Sequence, residues 1–163
     1  IYASGADAGE LTVLNDYGLD IRVVGPEAGQ ASGLKMCYAA LTKGLTALST
    51  ELLMAAELMG LSDALRAEQR QSMPQVLAWF EQTTPSMPPK AYRWVGEMEE
   101  IATTFADLGL TPNILLGAAD MYRMVEATAI GQETPETRDK SRDLDGVITA
   151  LARELSSPAV PAD

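Results

Sequence analysis

29-GQASGLKMCYAALTKGLTALSTELLMAAELMG-60 decides how the rest of the chain is read. Within it Leu34, Tyr38, Leu41, Leu45, Leu48, Leu52, Ala55 and Met59 follow one another at intervals of 4, 3, 4, 3, 4, 3 and 4. That spacing is one continuous apolar face of an α-helix, and Gly60 closes it. A helix of roughly 30 residues would be about 45 Å long, more than a small domain requires. Helices of that length cross between domains or between subunits. The near-3.5 period permits coiled-coil-like packing, although paired flanking charges are missing. On a neighbouring face, Lys35, Ala39, Thr42, Thr46 and Ser49 form a second stripe of small and polar residues around one cation. Lys35 reads two ways: a snorkelling surface charge whose stem covers the helix flank, or a cation with space in front of it, as a pocket would require.

Upstream the text changes. Ile1–Ser4 is a short apolar run ending in Gly5, Asp7 is placed to cap a helix through about Asn15, and Gly18 stops it. Asp20–Gly25 (DIRVVG) alternates and is β-branched, which predicts a strand. The result is a β-α-β segment too small to fold alone. The chain begins without methionine, and the expectation is a piece of something longer. Downstream, punctuation predicts a series of shorter helices: Asp63–Gln71 capped by Ser62, a helix from Pro74 to about Gln82, and another from Pro89 to Leu108 ended by Gly109. A further helix runs from Thr111-Pro112 to Ile130, stopped by Gly131. A last helical region opens at Thr134-Pro135, with Leu144, Val147, Ile148, Leu151 and Leu155 on one face. The expected fold is mainly α, a bundle built on one long helix and preceded by the β-α-β remnant. The expected division is 1–25, 26–156 and a tail, 157–163.

Composition excludes several kinds of chemistry. The 163 residues carry 23 acids against 12 bases and no histidine, for a net charge of −11. No basic run is large enough to track a nucleic-acid backbone, so no nucleic acid is expected as partner. Without histidine there is no Ser-His-Asp or Cys-His catalysis, and with one cysteine, Cys37, no internal disulfide or zinc cage. Cys37 itself reads as a small buried apolar residue. No apolar run of about 18 residues marks a membrane span, and no signal peptide is visible, so a reduced cytoplasm is the default. Gly29 and Gly33 sit at a helix start, but neither phosphate-loop pattern is complete, so Gly33 reads only as a close-approach position. Glu97 stands four residues after Arg93 and reads either as its helix-face partner or, like Glu99, as a carboxylate facing Lys35. Tyr122-Arg123 reads either as a packing tyrosine with a surface arginine or as a hydroxyl and guanidinium beside an anionic substrate.

Together these residues carry a resemblance. A strand ending at Gly25, then Gly29, five residues, and Lys35-Met36 opening a very long helix resembles the 6-phosphogluconate dehydrogenase and β-hydroxyacid dehydrogenase superfamily. There a Rossmann-type cofactor domain precedes an all-helical domain. The stretch 93-RWVGEMEEIATTFADLGLTPNILLGAADMYRMV-125 resembles a branch of phosphogluconate-dehydrogenase-like NAD(P)-binding proteins whose C-terminal domain is of unknown function. The resemblance implies the C-terminal substrate and dimerisation domain of an NAD(P)-dependent oxidoreductase acting on a small hydroxy acid or related carbonyl compound. It implies Lys35 as general acid/base; the candidate substrate residues beside it are Ser32, Gly33, Thr42, Glu97 and Tyr122, and the candidate cofactor residue is Gly29. NAD or NADP would bind the full-length protein and not this segment tightly. A homodimer through the long helix and bundle is expected, with no metal. Three positions depart from the family pattern: Ala31 stands where the family loop has its second glycine, Ala39 where an asparagine is common, and Thr42 where phosphogluconate dehydrogenases have glutamate. A non-catalytic helical ligand-binding or dimerisation module is therefore the alternative.

Overall fold

In the computed structural model, which describes residues 1–156, the long helix is present as α1, Gln30–Leu58. The expected tail, 157–163, lies outside the described residues. Five further α-helices follow: α2 (Ser62–Ser72), α3 (Pro74–Thr83), α4 (Ala91–Asp107), α5 (Asn113–Glu126) and α6 (Leu144–Ser156). Ahead of α1 lie two short strands, β1 (Tyr2–Ser4) and β2 (Arg22–Gly25), joined by a 3-10 helix over Ala8–Tyr17. The fold is mainly α, as expected. The chain forms two compact units, Ile1–Leu41 and Thr42 onward. The first takes in the opening turns of α1 as well as the strands.

In the first unit β1 and β2 pair in parallel, Tyr2 opposite Arg22 and Ala3 opposite Val23, with a bulge before Ser4 meets Gly25. The connection is 3-10 rather than α. Asp7 makes no side-chain cap, and bonds such as Glu10 N–H to Asp7 O close the tighter i to i−3 turn. Gly18 ends it at φ 85°, a conformation only glycine adopts cheaply. Asn15 then fixes the entry to β2: its Oδ1 accepts from Ile21 N–H at 2.7 Å. Ala3, Ala8 and Ile21 make a small apolar centre with Leu14 beside it. Ser4 Oγ accepts from Ala31 N–H at 3.0 Å, satisfying one of the free donors at the start of α1.

In the second unit the lower half of α1 buries Thr46, Ala47, Ser49, Thr50, Leu53, Met54 and Ala56. This is the small, hydroxyl-bearing face, not the leucine face. Its hydroxyls return to the helix's own carbonyls, Thr46 to Thr42 O at 2.8 Å and Thr50 to Thr46 O at 2.8 Å. They therefore enter the core with their hydrogen bonds made. The leucine face lies largely open: Tyr38 is 68% exposed, Leu48 57% and Met59 65%, while Leu45 and Leu52 are half-buried. Helices α4 and α5 pack against one another, and α6 adds Leu144, Val147, Ile148 and Leu151 to the core. Leu155, expected on that face, is exposed.

Several boundaries move for local reasons. Ser62 does not cap α2; its hydroxyl donates to Glu57 Oε2 at 2.6 Å. Two 3-10 turns, Thr84–Ser86 and Pro88–Lys90, occupy the expected loop before α4. Helix α5 stops at Glu126 rather than Ile130, and residues 127–143 are turns, so Thr134-Pro135 opens no helix. Asp143 performs the capping for α6, its Oδ1 accepting from Gly146 N–H at 2.8 Å.

Candidate functional site

Gly29 takes φ 92°, and its carbonyl accepts from Gly33 N–H at 2.8 Å, so the chain turns from β2 into α1 at this residue. A side chain at Gly33 would meet nothing within 4 Å, so no neighbour in the chain requires glycine there. Ser32 and Lys35 are exposed on the opening turns. Cys37, expected to be buried, is also exposed, because the first turns of α1 are covered on few sides.

The remaining candidates belong to the second unit. There Thr42 and Lys43 of α1, Trp79 and Thr83 of α3, and Lys90 and Trp94 line a cavity of about 480 Å³. Both ammonium groups stand over the Trp94 ring, Lys43 Nζ at 5.5 Å and Lys90 Nζ at 5.9 Å from its centre. Glu97 makes its ion pair with Lys43, not with Arg93 four residues before it. Glu99 pairs with Arg123, which also holds Asp120. Tyr122 is wholly buried. Its hydroxyl donates to Lys43 O at 2.6 Å, and its ring meets Trp94 edge-on at 5.3 Å. Burial pushes its phenol far above the ordinary range. Of the two readings of Tyr122, the packing one fits this placement: the ring supports Trp94 from behind, and the hydroxyl is committed to backbone.

The lysine pair and the two tryptophans were not singled out from sequence. One signal was present: Lys90 and Trp94 are four apart, the spacing that brings a cation over a ring on one helix face. Lys43 came into the cavity only because α1 buries its hydroxyl face. Among the described residues no group of three or more acidic or cysteine side chains is placed to hold a metal ion. No helix among them is long and apolar enough to cross a membrane.

This order of elements, a parallel strand pair, a glycine turn, a long helix and further helices, has counterparts among solved structures. Residues 56–125 match the family model DUF1932, a domain of unknown function. The chain is similar in structure to a conserved hypothetical protein from Sinorhizobium meliloti 1021, with TM-score 0.77, 25% identity, and coverage of 93% of this chain and 50% of that one. It is also similar to the conserved protein MTH1747 of unknown function, described as structurally similar to 3-hydroxyacid dehydrogenases. There the TM-score is 0.64 and the identity 32%, over 81% of this chain and 52% of that one. An uncharacterised 28.5 kDa protein of Methanothermus fervidus is 40% identical over 62 residues, 38% of this chain and 25% of that protein. The chain thus spans about half the length of the two solved structures. In this chain the strand pair carries no Gly-x-Gly-x-x-Gly turn.

Proposed function

We propose that this chain is the substrate-binding and dimer-forming part of an NAD(P)-dependent oxidoreductase acting on a small hydroxy acid or the matching carbonyl compound. Lys35 is its general acid/base. The observation that carries this reading is the exposed position of Lys35 on the opening turns of α1, six residues after the Gly29 turn, in a dehydrogenase-related fold. The cofactor, bound in the longer protein, supplies the hydride acceptor. The chain's own contribution is proton management: in the oxidative direction the Lys35 amine takes the hydroxyl proton as the carbonyl forms, and in the reductive direction it returns that proton. Ser32 and Gly33, one turn or less before the lysine, are the nearest candidates for orienting substrate, and Gly29 faces the cofactor in this reading. Thr42 and Glu97 belong to the cavity of the second unit, Glu97 through its pair with Lys43.

In the protein as its gene encodes it, Lys35→Ala is expected to lower kcat by about 10²- to 10⁴-fold while nucleotide binding, read by fluorescence titration, is unchanged. Retained turnover would remove the lysine from the mechanism. Ala39 favours a second reading, a helical ligand-binding module without chemistry, because its methyl cannot hydrogen-bond to substrate or lysine. Turnover of any member of a panel of 2- and 3-hydroxy acids would exclude that alternative.

The dimer is part of the same proposal. Its support is the open leucine face of α1, because a row of large apolar side chains on one helix face is costly to leave in water.

A further inference from the structure

The cavity at Trp94 has an unusual charge environment for so acidic a chain. Among the described residues neither Lys90, Arg93 nor Arg138 has a carboxylate partner, although the chain has nearly two acids for every base. Lys90 is half-buried. Its ammonium donates to Ser86 Oγ at 3.0 Å and rests over the Trp94 ring. Arg138 donates to the Pro85 carbonyl at 3.2 Å, next to that serine. Burial first, then the like charges of Arg93 and Arg138, hold the Lys90 pKa below its ordinary value. Like charges brought together and partly desolvated repel one another, and an anion bound among them would relieve that repulsion.

We propose that the cavity between α1, α3 and the start of α4 is a binding site for a small organic oxyanion, a carboxylate or a phosphate monoester. Lys90 is its principal cation, and Lys43, Ser86 and Thr83 are at hand. Trp79 and Trp94 give an apolar wall for the ligand's uncharged part. At about 480 Å³ the space suits a metabolite-sized molecule. Lys43 already has Glu97, so it steers and stacks rather than carrying the anion's charge alone. The site lies wholly in the second unit and does not rest on Lys35, so its failure and the failure of the proposed catalysis are separable.

Both tryptophans of the chain line the cavity, so intrinsic fluorescence reports on it directly. The experiment titrates the full chain with inorganic phosphate and, separately, with succinate, against sodium chloride at matched ionic strength. Saturable fluorescence change with phosphate alone, with succinate alone or with both supports the site and tells which oxyanion it prefers. No saturable change beyond that of chloride overturns it. Lys90→Gln is expected to weaken binding roughly tenfold, Lys90→Arg to retain most of it, and Lys140→Gln, at an exposed position, to leave it unchanged. Binding indifferent to Lys90→Gln places the anion elsewhere and overturns the proposal. One readout needs no folded variant: the bound oxyanion should protect Lys90 in the wild-type chain from an amine-acetylating reagent, followed by peptide mass spectrometry. Equal labelling with and without a saturating oxyanion also overturns it.

Discussion

Tyr122 makes the second unit sensitive to high pH. Its phenol is fully buried, and its hydroxyl donates to Lys43 O at 2.6 Å. Burial raises its pKa in the folded state, so the unfolded chain loses this proton at a lower pH than the native one does. The contribution is therefore complete below about pH 10, the ordinary value of a phenol, and is lost as pH rises above it. Tyr122→Phe is expected to cost about 1 kcal/mol near neutral pH through the lost hydrogen bond. The gap between variant and wild type should close as pH passes from 9 to 11 in urea denaturation, and a constant gap would remove Tyr122 from the alkaline transition. Lys90, whose pKa is lowered by burial, has the opposite sign, since its folded form gives up its proton first; it cancels in that difference. Gly131 makes a second prediction at this scale. A Cβ there would stand 2.0 Å from the Val125 carbonyl oxygen, a backbone atom that cannot step aside. Gly131→Ala should destabilise by about 2 kcal/mol. Gly96→Ala, inside α4 with open space around it, should stabilise by roughly 0.5–1 kcal/mol. Thermal melts of the two variants give the comparison directly.

At the scale of elements, α1 carries two faces, and both are readable from the text because α-helical spacing is local. Its start, its length and its stop at Gly60, with φ 69°, are equally local, since they depend on spacing and on one left-handed residue. Which face is covered is not local. Leucine rows usually go inward, yet here Thr46, Ser49 and Thr50 go inward and Leu48 stays out. Threonine and serine satisfy their own hydroxyls on the preceding turn, so the buried face needs no outside partner and its small side chains let neighbouring elements approach. The end of α5 failed from sequence for a related reason. Gly131 looks like a helix stop, but the helix has already ended at Glu126, and the glycine serves the close passage against Val125 instead. Asp143 was overlooked as a cap because Thr134-Pro135 offered an earlier start signal; the turn bonds between Thr134 and Thr137 absorb that signal.

For the whole molecule, the consequence of the open leucine face is assembly. In the proposed homodimer Leu48→Lys should shift the chain to monomer in sedimentation equilibrium at tens of micromolar while leaving helical circular dichroism unchanged. The position is exposed, so the substitution leaves the core of the second unit untouched. A wild-type chain that sediments as a monomer at the same concentration ends the dimer reading.

The amino-acid sequence by itself determined the class of fold, the long helix with its glycine boundaries, the paired strands ahead of it and the resemblance centred on Gly29 and Lys35. Each of these rests on spacing along the chain or on single residues with distinctive backbone freedom. Only the tertiary structure decided that the hydroxyl face of α1 enters the core, that Glu97 belongs to Lys43, and that Lys43 and Lys90 meet over Trp94. Those outcomes join residues 47 to 54 positions apart, and no periodicity in one element records what another element brings to it.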